Sequence, residues 1–181
     1  MKVFLFLANG FEEIEAIGTI DILRRSGLDV TTVSITDNLQ VSGAHNISVT
    51  ADERFEEVDF SSADLLVLPG GGSGTKNLGT HEGLKTLLKQ HAAAGKKMAA
   101  ICAAPMVLGG LGLLQGKRAT CYPGCEDALQ GATIMDANVV KDGNIITGKG
   151  PGFTFDFALM LVAELQGQAK VDEVAAGLLL K

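Results

Sequence analysis

Three cysteines, three histidines and a scatter of carboxylates carry most of the reactive chemistry open to this 181-residue chain, and one cysteine has a setting the others lack. Cys102 follows the apolar run Met98–Ile101 and precedes Ala103-Ala104-Pro105. The pattern predicts a buried strand, a turn at the cysteine and a helix from Ala103 onward. Pro105 fits, because proline is tolerated in a helix's first turn and unfavourable deeper inside. A thiol at such a turn faces unpaired N–H groups and the positive end of the helix dipole. That setting favours thiolate and predicts a pKa below the free value of ~8.5. The alternative is a buried structural cysteine; the strand–cysteine–helix context favours the reactive thiol.

Glu15 is the second candidate. On a helix it shares a face with Phe11, Gly18 and Ile22, and its neighbours Ile14, Ala16 and Ile17 are apolar or small. A carboxylate in such surroundings must be paired or protonated, since burying an unpaired charge is costly. Its helix follows the first strand, so Glu15 can reach over the sheet edge toward Cys102. Glu12 and Glu13 read instead as exposed helix glutamates.

Gly70-Gly71-Gly72-Ser73-Gly74 fits neither the G-x-G-x-x-G pattern nor a phosphate-binding loop with its lysine. It reads as a turn whose backbone N–H groups approach a ligand, suited to an oxyanion hole beside Cys102. Gly148-Lys149-Gly150-Pro151-Gly152 either lines the same site or makes a tight strand–helix connection. Cys121 and Cys125 flank Tyr122-Pro123-Gly124 with no histidine nearby, too few ligands for zinc, so no metal is expected. His45, His81 and His91 all precede Cys102. His81 sits at a helix start and His91 at a helix end, where it reads as solvated, and none suggests a Cys–His pair.

The elements that must position these residues alternate. Strands are predicted at Lys2–Leu7, Asp29–Ser34, Leu65–Leu68 and Met98–Ile101. Helices are predicted over residues 12–25, 82–94, 154–165 and 171–180. Residues 39–41 and 47–50 read as a small hairpin, and Asp142-Gly143 between 139–141 and 145–147 as a second. Alternating strand–helix units imply an α/β fold, a mostly parallel sheet with helices on both faces, which binds ligands beyond the strands' carboxyl ends. The turns at 8–10, 69–72 and 102–104 all lie at that edge.

Composition bounds the function. Hydrophobic residues are 46% and charged residues 20%, an ordinary globular balance that fits one domain over 1–181. The net charge of −6, with no basic block, argues against nucleic acid and anionic membranes as partners. No stretch reads as a signal peptide or membrane span, and three cysteines do not suggest a disulfide scaffold. A cytoplasmic protein is expected. The helix over 12–25 carries Ile14, Ile17, Ile20, Ile22 and Leu23, apolar around much of its circumference. Such a helix is buried on two sides.

Several segments together carry a family resemblance. They are Gly10-x-Glu12-Glu13-x-Glu15, Asp21-x-x-Arg24-Arg25, Asp64-x-x-Val67-Leu68-Pro69-Gly70-Gly71, Ala100–Pro105 and Gly150-Pro151-Gly152. From end to end the chain resembles the ThiJ/PfpI superfamily, whose domain is class I glutamine amidotransferase-like. Within it, the chain is most similar to the branch of the Parkinsonism-associated protein deglycase and its bacterial ThiJ-like relatives. The resemblance implies a flavodoxin-like three-layer sandwich. It implies Cys102 as the reactive thiol with Glu15 hydrogen-bonded to it, and the N–H groups of Gly71 and Ala103 facing a substrate oxygen. It also implies a homodimer through the helix over 12–25, which would bring Arg24 or Arg25 near the partner's site.

There are departures from the pattern. PfpI-type proteases place a histidine directly after the cysteine, where this chain has Ala103. Amidotransferase relatives supply one later, and none follows Cys102. The deglycase branch has a histidine where this chain has Tyr122, and a phenol of pKa ~10 is a poor base near neutral pH. The leading expectation is a cofactor-free glyoxalase or deglycase acting on small reactive carbonyls through Cys102 and Glu15, with Gly70, Tyr122, Gly150 and Pro151 lining the site. The alternative is an oxidative-stress sensor or redox chaperone working through Cys102. A cysteine protease ranks last.

Overall fold

The computed structural model describes residues 1–180. Eleven strands and six helices appear in chain order. The first half runs β1 (Lys2–Leu7), α1 (Glu13–Arg25), β2 (Asp29–Ser34), β3 (Gln40–Ser42), β4 (Ser48–Thr50), β5 (Glu53–Arg54) and β6 (Leu65–Leu68). Then come α2 (Gly72–Thr80), α3 (Glu82–Ala93), β7 (Lys97–Ile101), α4 (Pro105–Gly110), β8 (Arg118–Ala119) and β9 (Thr133–Ile134). The chain ends with β10 (Val139–Asp142), β11 (Ile145–Gly148), α5 (Thr154–Gln166) and α6 (Gln168–Gly177).

Seven strands form one sheet in the order β10-β11-β7-β6-β1-β2-β5, parallel throughout except for the β10–β11 hairpin. The central strands β1, β6 and β7 are apolar on both faces and buried nearly throughout, as covered parallel strands must be. Their alternate side chains feed two cores. Val3, Leu5 and Leu7 pack with Ala16, Ile22 and Leu23 of α1 and with Phe157 and Leu161 of α5. Phe4 and Phe6 pack with Leu78 of α2, Leu84 and Leu88 of α3 and Leu108 of α4. The result is the expected three-layer flavodoxin-like sandwich.

Several expectations need correction. α2 occupies the stretch read as a glycine turn; Gly71 at φ +97° is its N-cap, and the helix proper runs on from Gly72. The helix after Cys102 starts at Pro105, leaving 102–104 as a turn, and spans only six residues. The last helix begins at Gln168 and ends at Gly177, not at 171 and 180. In α1, Ile22 and Leu23 are buried, while Ile14 is 57% and Ile17 42% exposed in the single chain. Arg24 binds Asp52 at 2.7 Å and Arg25 binds Asp21 at 2.6 Å, both within the chain. No helix is long and apolar enough to cross a membrane among the described residues.

Candidate active site

β7, β6 and β1 are neighbours and run parallel, so the turns that leave their carboxyl ends meet at one edge of the sheet. Cys102 stands on the β7 turn with φ +64°, a left-handed conformation that L-residues seldom adopt. It is held there on both sides. Its N–H donates to the Gly148 carbonyl at 2.9 Å, and its own carbonyl accepts from Tyr122 N–H at 2.8 Å. The side chain is buried.

Glu15, in the first turn of α1, is buried completely. Its Oε2 accepts from the Gly70 N–H at 2.8 Å, while Oε1 has no well-formed hydrogen bond within the protein. Gly70 is the wedge between the two groups. A Cβ there would lie 2.6 Å from both Cys102 Cβ and Glu15 Oε2, so no larger residue fits without parting them. Gly71 makes a second close approach, since a Cβ on it would fall 2.7 Å from the Glu12 nitrogen. Glu12 N–H in turn donates to the Gly70 carbonyl at 2.9 Å, tying the β1 turn to the β6 turn.

Electrostatics follow from this packing. Burial pushes the Glu15 carboxyl up to about 7, and the charge of Glu12 adds to the rise. The Cys102 thiol and the Gly70 N–H hold it down in part. Burial likewise pushes the Cys102 thiol up to about 12, and the charge and hydrogen bond of Glu15 push the same way. The N–H groups of Gly71 and Ala103 oppose that rise. The expected thiolate is therefore corrected: while Glu15 is ionised, the proton stays on sulphur. The six-residue α4 gives only a weak dipole, and the adjacent carboxylate outweighs it. When Glu15 takes a proton, the repulsion vanishes and the two N–H groups are left to oppose the effect of burial. Burial and mutual repulsion thus keep the proton on sulphur and bring the carboxyl's own titration to near-neutral pH.

Support for Glu15 comes from residues read as solvent-facing. Glu12 and Glu13 are buried, contrary to expectation. Glu12 caps α1, its Oε2 accepting from Glu15 N–H at 2.8 Å, although glutamate is not among the residues that favour this position. Glu13 receives the His45 N–H at 2.6 Å and pairs with its ring Nδ1 at 2.8 Å, latching the β3–β4 loop onto the helix. Glu12, Glu13 and His45 form the one grouping of possible metal ligands found among the described residues. Both Glu13 oxygens and one of Glu12 are already engaged in capping and latching.

The remaining candidates lie apart. Tyr122 is tied to Cys102 through its backbone N–H. Its ring is 49% exposed, and a Cβ on Gly150 would sit 3.2 Å from the ring. With Pro151 and their neighbours, Tyr122 and Gly150 wall a shallow cleft of about 270 Å³. His81 caps α3, its Nδ1 accepting from Leu84 N–H at 3.0 Å. His91 is buried rather than solvated; its Nε2 sits 3.0 Å from the Lys97 carbonyl oxygen, and burial lowers its pKa. Cys121 is buried and Cys125 half-buried, and all three cysteines are free thiols.

Known proteins share this architecture and sequence. A model of the DJ-1/PfpI family matches residues 1–164. Protein DJ-1 homolog A of Arabidopsis thaliana is 40% identical over 182 residues, 99% of this chain and 46% of that protein. The chain thus spans less than half the length of that relative. A deglycase from Pyrococcus abyssi is 35% identical over 154 residues, covering 84% of this chain and 92% of that protein. Among solved structures, a DJ-1 superfamily protein from Salmonella typhimurium superposes with a TM-score of 0.95 at 42% identity, covering 99% of this chain and 98% of that one.

Proposed function

This chain belongs to the DJ-1/PfpI family, and from that premise and the site's geometry we propose that it is a cofactor-free enzyme acting on small reactive carbonyls through Cys102 and Glu15. The supporting observation is the convergence on one thiol of a buried carboxyl pushed up to about 7 and two backbone N–H donors. Such a carboxyl can both accept and return a proton near neutral pH. Cys102 Sγ adds to the aldehyde carbon of a 2-oxoaldehyde while Glu15 takes the thiol proton. The N–H groups of Gly71 and Ala103 hold the developing oxyanion of the hemithioacetal. Glu15 returns that proton to the oxyanion, giving a hydroxyl, then carries the proton of the former aldehyde carbon to the neighbouring carbonyl carbon while the hydroxyl proton passes to the neighbouring oxygen. The first carbon is oxidised to a thioester as the second is reduced to an alcohol. Water cleaves the thioester, giving the 2-hydroxy acid and the free thiol. The test is methylglyoxal turnover by the wild type against Cys102→Ser; equal rates would end the proposal.

A second reading, an oxidation sensor at Cys102 with chaperone activity, is favoured by one observation. The donors converge on the sulphur itself, where they would hold the oxygens of a sulfinate. Peptide mass spectrometry after peroxide should then show Cys102 oxidised well before Cys121 and Cys125, and equal oxidation of all three would remove this reading. A cysteine protease finds less support, because the described histidines are engaged elsewhere: His45 with Glu13, His81 at the α3 cap and His91 at Lys97. The proposal includes a homodimer in which the exposed Ile14 and Ile17 of α1 are covered by a second copy. Ile17→Glu should weaken it, and light scattering showing a monomer at micromolar concentration would exclude it.

A further inference from the structure

One face of α2 borders α4 without filling the space between them. Gly72, Thr75, Lys76 and Gly79 recur at helical spacing along it, and between them and Met106, Val107 and Leu111 lies a cleft of about 670 Å³. Glycine makes the space. A Cβ on Gly72 or Gly110 would meet nothing within 4 Å, and one on Gly79 would touch only Val107, at 3.7 Å. The volume is that of a small-molecule site, and its lining is mainly apolar with a few polar groups, the usual composition of such sites.

The polar groups share one sign. Lys76 and Lys85 line the cleft and no carboxylate does, in a chain whose net charge is −6. Lys85 is tied to Glu82 at 2.8 Å, whereas Lys76 has no hydrogen-bond or ion-pair partner among the described residues. Thr75 in the same wall is only 6% exposed, and its hydroxyl has no hydrogen-bond partner in the protein. A buried hydroxyl without a partner is uncommon in a folded protein; the Thr75 oxygen is enclosed behind the wall, so the cleft's own polar contacts are the two lysines. We propose that this cleft is a binding site for a small amphipathic anion, its apolar body lying on Met106, Val107 and Leu111 and its anionic head on Lys76 and Lys85.

The cleft borders the Cys102 site, since Ala103 forms part of its wall, but Lys76 and Lys85 take no part in the thiol chemistry proposed above. Nothing in the proposal requires turnover at the thiol. Cys125 also borders the cleft and supplies a chemical reporter of occupancy.

The test is calorimetric titration of the full chain with octanoate, octyl phosphate and neutral octanol. At least one of the two anions should bind at least tenfold more tightly than octanol; carboxylate and phosphate heads compete for the same lysines, and the tighter one names the head group. Reversing both cations, Lys76→Glu with Lys85→Glu, should weaken anion binding at least tenfold. Gly110→Leu should block it, with thermal melting confirming that each variant is folded. The bound anion should also slow maleimide labelling of Cys125 several-fold. Equal affinity for octanol and both anions, no binding at millimolar concentration, or undiminished binding by folded Gly110→Leu would overturn the proposal. Cys102→Ser should bind the anions as the wild type does, so loss of turnover and loss of this site are read separately.

Discussion

Cys102 and Cys121 are both buried, and burial pushes both thiols up to about 12, yet their surroundings differ in kind. Around Cys121 only the charges of Glu126 and Cys125 add to the rise, and no backbone donor opposes it. Around Cys102 a carboxyl with a raised pKa stands ready to take the proton, and two N–H groups wait for the charge it leaves. Burial alone makes a thiol inert. What separates the two is a nearby place for the proton and a nearby donor for the anion, and neither is visible in the pKa value itself.

The comparison breaks most sharply on substitution of the sulphur. Cys102→Ser should lower methylglyoxal turnover by at least ~10³-fold, because a serine hydroxyl is far harder to ionise. Cys121→Ser should leave the rate within about twofold. Similar losses for both would show that the thiols differ less than their surroundings suggest. Next in size is Glu15→Gln, which keeps the shape and removes the base. Turnover should fall by ~10²–10⁴-fold. The wild-type rate should rise with pH through about 7 as the carboxyl ionises, and the variant should lose that limb.

Stability sharpens the same contrast at smaller scale. The Glu15 carboxyl titrates near its ordinary value of 4.5 when unfolded and near 7 when folded. The unfolded chain therefore gives up the proton first, and stability falls as pH rises from about 4.5 to about 7, staying lower above that. Glu15→Gln has no such penalty. It should exceed the wild type by about 1–3 kcal/mol at pH 8, with the gap shrinking toward pH 4.5 in denaturant titrations. The smallest effect belongs to Tyr122. Its ring is exposed and lies beside Gly150, so Tyr122→Phe should leave turnover within about twofold. Tyr122→His, by offering a base with a pKa near working pH, should raise the rate a few-fold. A larger loss in either variant would show that the phenol takes part.

Periodicity and turn chemistry carry the main elements. β1, β2 and β6 fall on the predicted residues, α1 within one residue, and α5 begins at the predicted Thr154. α2 stays hidden because Gly-Ser-Gly-Thr is poor helix material. Its first turn is fixed from outside, by Gly74 N–H donating to the Gly10 carbonyl at 3.0 Å. The strand–cysteine–helix pattern and the apolar setting of Glu15 pick out the central pair. Their raised pKa values come from burial in the packed structure and cannot be read from spacing. The burial of Glu12, Glu13 and His91 escapes for a related reason, since each is covered by a segment distant in the chain or beyond its own helix. The α2–α4 cleft is a gap between two helices, one of which gives no periodic signal.

The left-handed backbone at Cys102 makes this a place where the chain would sit more easily with glycine. Evolution toward thermal robustness alone would drift to glycine here, relieving ~1–2 kcal/mol of steric strain and erasing the thiol. A variant library sorted once for heat tolerance and once for carbonyl resistance should therefore diverge at this codon. The position where the two selections disagree would mark the reactive centre even with the substrate unidentified.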